Sequence, residues 1–127
     1  MARILLIDDE TEFRQTIRLM LEQAGHEVLE AGNGTDGVEM HKSMDPDLII
    51  TDIIMPQKEG IETILALRRH DAKARIIAIS GGGRLKMADF LTVARKFGAS
   101  HTLAKPFRRE QLLEAVRECL AGPVPAA

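Results

Sequence analysis

Three short segments of the chain are apolar, rich in β-branched side chains and free of charge, and they constrain its fold more than any other feature. They occupy residues 4–7, 48–50 and 76–79. Segments of this kind are typical of strands that are buried on both faces, as in a parallel sheet covered by helices. Two weaker segments, at 28–29 and 102–104, bring the number of predicted strands to five.

Apolar residues at helical spacing lie between and after the predicted strands. The first helical pattern begins near Phe13 and is expected to end at Gly25, and the second spans 34–44, after which Pro46 prevents its continuation. Three further patterns follow at 61–67, 85–97 and 112–120. This order predicts an α/β fold, a doubly wound (βα)5 domain in which right-handed crossovers place helices on both faces of a five-stranded parallel sheet.

The length and composition of the chain indicate one globular domain, which we expect over residues 1–122, followed by a flexible tail at 123–127. The 127 residues carry a formal net charge of −2 and include neither Trp nor Tyr. Near-neutrality gives no general attraction to nucleic acid or anionic membranes, and the lack of large aromatics argues against stacking on single strands. The lone Cys119 excludes an internal disulfide and a cysteine-rich zinc site. With no apolar segment near the roughly 18 residues of a membrane span and no signal-peptide pattern, the expected compartment is the cytoplasm.

Polar side chains follow four of the five predicted strands. Asp8 and Asp9 follow the first strand, Asp52 the third, Ser80 the fourth and Lys105 the fifth. Because the carboxyl ends of parallel strands form the ligand-binding edge of an open sheet, we expect these side chains to lie close together.

Three carboxylates in one pocket require a counter-charge. At about 5 Å and an effective dielectric near 20, each pair of carboxylates repels by roughly 3 kcal/mol. A divalent cation offsets this repulsion, and a site with few protein carboxylates and several waters favours Mg²⁺ over Ca²⁺. Lys105 adds a positive charge suited to a phosphoryl oxygen, and Ser80 adds a hydroxyl donor. The residues therefore predict Mg²⁺-dependent phosphoryl transfer to an aspartate.

Together these residues resemble the receiver domain of response regulators, the chemotaxis-type receiver of two-component signalling. The matching motifs are the pair Asp8–Asp9, the segment 52–56 with Gly60, Ser80, and the segment 105–107. Each motif is weak by itself, but their order along the chain and their placement at strand ends are specific. The resemblance extends from residue 3 to near residue 121 and implies a flavodoxin-like strand order, 2-1-3-4-5.

The resemblance implies that Asp52 is the phosphoacceptor, which receives its phosphoryl group from a histidine kinase or a histidine phosphotransfer protein. It also implies a set of Mg²⁺ ligands. Asp9 and Asp52 bind the ion directly, Asp8 binds it largely through water, and the backbone carbonyl of Ile54 supplies a further oxygen.

The resemblance further implies that Ser80 and Lys105 contact the phosphoryl group. Phosphorylation adds a charge of roughly −1.5 to −2. Movement of Ser80 and the loop after it then changes a surface formed by the fourth predicted helix, the fifth strand and the fifth helix. The expected partner of that surface is a downstream protein target, with the chain a monomer or weak homodimer and without direct contact to nucleic acid or membrane.

Three features depart from the family pattern. Thr102 occupies a switch position where the family often has an aromatic ring, so the switch must operate through His101 or through the backbone. The switch serine and the lysine are 25 positions apart, a few more than usual, and the surplus is expected in the glycines at 81–83. The segment 57–59 replaces a commoner apolar and acidic pattern, which is expected to alter partner selectivity.

The sequence leaves alternatives to a stand-alone receiver. The chain could be a module excised from a larger DNA-binding regulator or hybrid kinase, because its Pro-containing end resembles the start of a linker. A phosphohydrolase with Asp52 as nucleophile is disfavoured, since haloacid-dehalogenase-like enzymes have a second Asp where this chain has Ile54. A pseudo-receiver is disfavoured by the intact acidic set. We therefore expect a signalling domain and not an enzyme, with self-phosphorylation and autodephosphorylation chemistry at Asp52.

Overall fold

The sheet of this protein has five parallel strands. The structure is a computed structural model that describes residues 2–52, 59–71, 73–80, 99–105 and 107–122, with the backbone alone at 59–61 and 80. The strands are β1 (Arg3–Ile7), β2 (Glu27–Ala31), β3 (Leu48–Asp52), β4 (Ile76–Ser80) and β5 (His101–Ala104). Their spatial order is β2-β1-β3-β4-β5, and every neighbouring pair is parallel. The predicted doubly wound topology is confirmed.

Four helices connect or follow these strands in the described part of the chain. They are α1 (Thr11–Gln23), α2 (Gly34–Met44), α3 (Glu59–His70) and α4 (Arg109–Ala121). The helix α4 is the fifth helix of the sequence prediction. The fourth predicted helix, at 85–97, the expected loop insertion at 81–83 and the expected tail at 123–127 lie outside the described residues.

The ends of α1 and α2 follow local backbone chemistry. After α1 the chain turns at Gly25, whose φ of 94° is readily adopted only by glycine. The side chain of Asn33 caps the start of α2 by accepting a hydrogen bond from the backbone N–H of Asp36 at 2.8 Å. The same helix ends at Asp45, which adopts a left-handed conformation one residue before Pro46. Both predicted helix ends are confirmed.

The core consists of two apolar layers, one on each face of the sheet. Alternate residues of β1 enter opposite layers, which explains why this strand carries no polar side chain between residues 4 and 7. The layer under α1 and α4 includes Ile4, Leu6, Ile17, Leu21, Ile50, Ile77, Leu112 and Val116. The layer under α2 and α3 includes Leu5, Ile7, Ile49, Ile64, Leu67 and Ile76. Full burial of one such side chain contributes about 1.5–3 kcal/mol, so these layers hold the sheet rigid beneath its polar edge.

The helix α2 approaches β1 closely at one glycine. A Cβ atom added to Gly37 would overlap Cδ1 and Cγ1 of Ile7. Glycine at this position therefore sets the distance between α2 and the strand that ends next to Asp8.

Candidate functional site

Strand register brings the predicted site residues to one edge of the sheet. Ile7, the last residue of β1, is paired with Thr51, so Asp8 and Asp52 lie side by side at the carboxyl ends of adjacent strands. On the other side of β3, Asp52 is paired with Ile79 of β4. The strand β5 ends at Ala104, which directly precedes Lys105.

The ammonium group of Lys105 lies among three carboxylates. Its Nζ is 3.1 Å from Oδ2 of Asp52, 3.5 Å from Oε1 of Glu10 and 3.6 Å from Oδ2 of Asp8. The Asp8 and Asp52 side chains are almost completely buried, at 1% and 3% exposure, whereas Glu10 reaches out to solvent. With all four groups ionised, the site carries two more negative charges than positive ones.

Burial, together with the neighbouring carboxylates, raises the pKa of Asp8. The pKa of this carboxyl lies at about 6, above its ordinary value of 3.8. Burial is the main cause and the charges of Asp52 and Glu10 add to it, against a hydrogen bond from the Glu10 backbone N–H and the charge of Lys105. Burial alone lowers the pKa of Lys105, but Asp52 and Asp8 outweigh it, so the net shift is upward and the ammonium stays charged. One ammonium thus faces three carboxylates, and a bound cation would balance the remaining negative charge.

The donor set fits a hard divalent cation. Carboxylate oxygens of Asp8, Glu10 and Asp52 lie within 4.8 Å of one another. Oδ2 of Asp8 is buried and accepts no hydrogen bond from the residues that the structure describes. Oxygen ligands of this kind are those that Mg²⁺ prefers.

The cluster differs in membership from the predicted set of ligands. Asp8 and Asp52 are in it, whereas Asp9 is exposed and is not part of the cluster. Ile54 lies outside the described residues. The sequence analysis did not include Glu10, because only the conformation of the loop between β1 and α1 brings its carboxylate to Lys105.

An aromatic ring completes the surroundings of Lys105. Its Nζ lies 3.8 Å from the centroid of the Phe13 ring. Phe13 in turn meets the Phe107 ring edge-on, with centroids 5.9 Å apart and planes at 78°. The sequence pattern assigned Phe13 only to the apolar face of α1.

Hydrogen bonds and ion pairs of charged side chains hold the loop that carries Asp8 in place. Arg14 donates from Nη1 to the backbone oxygen of Asp8 at 2.6 Å and from Nε to Glu30 at 3.0 Å. Arg18 donates to the other oxygen of Glu30 at 2.6 Å. Burial raises the pKa of Glu30, but the two guanidinium groups outweigh it and hold the pKa below its ordinary value. The α1 helix is thereby tied to β2 just beside the acidic cluster.

Of the two predicted switch residues, Ser80 lies at this edge of the sheet, whereas Thr102 lies two residues before the end of β5. Ser80 is the last residue of β4 and is paired with Ala104 of β5. The structure describes the backbone of Ser80 and not its side chain. Thr102 is half-buried in β5 and lines a groove with His101 and three glutamates of α4, Glu110, Glu114 and Glu118. His101 Nε2 lies 3.5 Å from the carboxylate of Glu118.

Comparison with known proteins agrees with this architecture. The sequence-family model of the response regulator receiver domain matches residues 4–117 of the chain. The chain belongs to the response regulator receiver domain family. The resemblance stated from the sequence is thus confirmed.

Relatives of this receiver include single-domain chemotaxis proteins. It is 39% identical to the chemotaxis protein CheY of Bacillus subtilis, over 93% of this chain and 97% of that protein. It is 36% identical to the chemotaxis protein CheY of Halobacterium salinarum, over 94% and 98%. A solved receiver domain protein from Clostridium thermocellum superposes with a TM-score of 0.86 and 31% identity, covering 94% of each chain. In the described part of this receiver, no helix has the length and apolar character needed to span a membrane.

Proposed function

We propose that Asp52 of this receiver accepts a phosphoryl group in a Mg²⁺-dependent reaction, with a histidine kinase or a histidine phosphotransfer protein as donor. The observation that carries the proposal is the contact of 3.1 Å between the buried Asp52 carboxylate and the Lys105 ammonium, beside Asp8 and Glu10. A receiver needs a nucleophilic carboxylate next to groups that stabilise negative phosphoryl oxygens, and this edge of the sheet provides both.

The chemistry assigned to these residues is an in-line displacement. A carboxylate oxygen of Asp52 attacks phosphorus and forms the new P–O bond of an acyl phosphate. The bond between phosphorus and the imidazole nitrogen of the donor breaks, and its electron pair stays on that nitrogen. Lys105 then donates to a phosphoryl oxygen, and the Ser80 hydroxyl is proposed to donate to another.

Bound metal would supply positive charge that offsets the repulsion between the carboxylates and the incoming phosphoryl oxygens. The positions of Asp8 and Asp52 in the structure support them as metal ligands. The family resemblance adds two further proposed ligands, the exposed Asp9 and the backbone oxygen of Ile54. Glu10 is available as a further carboxylate. The same set supports self-phosphorylation from small phosphodonors and the later hydrolysis of the acyl phosphate.

The signal is proposed to leave the site through β5. Lys105 directly follows this strand, so a change of its partner from a carboxylate to a phosphoryl oxygen acts on the backbone that carries Thr102 and His101. Both residues line the groove along α4. This supports a protein-binding surface on that side of the domain. Its proposed target is a downstream protein, without direct contact to nucleic acid or membrane.

A receiver of the chemotaxis type is proposed, because both chemotaxis relatives are matched over nearly their whole length. The extent of the domain, 1–122, its tail, its cytoplasmic location and a monomeric or weakly dimeric state belong to the same proposal.

The test is phosphorylation by acetyl phosphate followed by intact-protein mass spectrometry. We expect the mass of one phosphoryl group to be added with Mg²⁺ and not with EDTA, and Asp52→Asn to abolish the addition. Asp45→Asn is the matched control, since Asp45 is exposed and its left-handed conformation suits asparagine. Stable incorporation in Asp52→Asn, or none in the parent, contradicts the proposal.

A further inference from the structure

We propose that Phe13 is a positioning residue for Lys105, which holds the ammonium over its ring so that the N–H groups are directed to Asp52 and to the phosphoryl group. This inference rests on the proposed function and adds to it a residue outside the acidic cluster.

The distances place the ammonium in attractive contact with the ring. Nζ of Lys105 is 3.8 Å from the Phe13 centroid, well inside the range of about 6 Å within which a cation is attracted to an aromatic face. Only 14% of the Lys105 side chain is exposed, so water screens this attraction weakly.

Lysine needs such a contact more than arginine would. Its charge stands at the end of four methylene groups with many rotamers, and its three N–H donors rotate freely. Asp52 accepts from one of these donors at 3.1 Å. A ring face attracts the charge through its quadrupole and leaves the donors for Asp52 and the phosphoryl oxygens.

The orientation of the Phe13 ring is itself fixed by packing. Phe13 lies on the first turns of α1 and packs on the apolar layer under α1 and α4, as does Phe107. The edge-on contact between these two rings, at 78°, orients Phe13. Phe107 lies two residues after Lys105, so β5 and α1 hold the charge and the ring in a common frame.

Shape-preserving substitution separates this role from simple packing. Phenylalanine analogues with one, two and three ring fluorines are placed at position 13, where each fluorine weakens the attraction for a cation. We expect the rate constant for phosphorylation by acetyl phosphate at saturating Mg²⁺ to fall stepwise, by about 3- to 10-fold over the series. The control is the same series at position 13 in the Lys105→Met background, where the cation is absent and the fluorines are expected to change the unfolding equilibrium constant in urea and EDTA by less than about 2-fold.

Ordinary variants give the same test without synthetic residues. Phe13→Leu keeps an apolar side chain and is expected to lower the rate to the level of the trifluorinated ring. Phe13→Trp has a ring face that attracts cations more strongly and is expected to retain the parent rate. Equal rates for leucine and tryptophan, or a flat fluorine series at position 13, overturn the proposal.

A readout without metal or phosphodonor completes the experiment. A double-mutant cycle of Phe13→Leu and Lys105→Met, measured by urea unfolding in EDTA, is expected to show favourable coupling of about 3- to 10-fold in the unfolding equilibrium constant. Additive effects overturn the contact. A parent that takes up no phosphoryl group overturns the proposed function together with the role of Phe13 in it, whereas a labelled parent with a flat series overturns only the role of Phe13.

Discussion

Replacement of Asp8 by asparagine is expected to stabilise this receiver in the absence of metal. The Asp8 carboxyl is 1% exposed, and its pKa of about 6 lies above the ordinary value of 3.8. The folded chain therefore binds this proton more tightly than the unfolded chain does. The resulting contribution to stability is present below pH 3.8 and is lost as the pH rises through 6.

The magnitude follows from the two pKa values. Their difference corresponds to an upper limit of about 3 kcal/mol, which the parent loses between acidic and neutral pH and which Asp8→Asn does not lose. We expect the variant to exceed the parent by about 1–3 kcal/mol in free energy of unfolding at pH 7.5 in EDTA, and to approach it near pH 4.

Urea unfolding measures this difference directly. The chain has no Trp or Tyr, so far-UV circular dichroism is the suitable probe. Asp45→Asn removes an exposed carboxylate and serves as control, with a change expected within about 0.5 kcal/mol. An Asp8→Asn variant that is less stable than the parent at pH 7.5 in EDTA, or a difference that does not vary with pH, would refute the reasoning.

Two further substitutions test how α2 is packed on β1 and how its first turn is capped. Gly37→Ala makes either α2 or the Ile7 side chain shift and is expected to destabilise the fold by about 1–3 kcal/mol in urea unfolding, whereas an unchanged midpoint would contradict a tight contact at this position. Asn33→Ala removes the cap of α2 and is expected to cost about 1 kcal/mol in the same assay, with Asn33→Asp retaining most of the parent stability; equal losses for both variants would contradict the capping role.

The sequence predicted best those strands that contain an uninterrupted apolar segment. The segments 4–7, 48–50 and 76–79 contain only apolar residues because both of their faces are covered, and each lies in β1, β3 or β4. The edge strand β2 is longer than the pair 28–29 that predicted it. Its residues Glu27 and Glu30 face solvent and arginine side chains, so apolarity underestimates it.

The sequence predicted where the site lies, but not which side chains contact one another there. Strand ends located Asp8, Asp52 and Lys105, because parallel topology forces those ends to one edge. Nothing local to the sequence shows that Glu10 turns toward the lysine while Asp9 faces solvent, since loop conformation decides which side chain points inward. The contact of Phe13 with Lys105 joins residues that are far apart in the chain, and it depends on how α1 packs on β1 and β2 relative to the end of β5.

Asp52, the buried carboxylate that lies 3.1 Å from the Lys105 ammonium, is the proposed phosphoacceptor. The most direct measurement is to phosphorylate the parent with acetyl phosphate and Mg²⁺, reduce the acyl phosphate with borohydride, and locate the resulting homoserine by peptide mass spectrometry. We predict homoserine at position 52, and none when EDTA replaces Mg²⁺. Homoserine at Asp8, Asp9 or any other aspartate in place of Asp52 would contradict it.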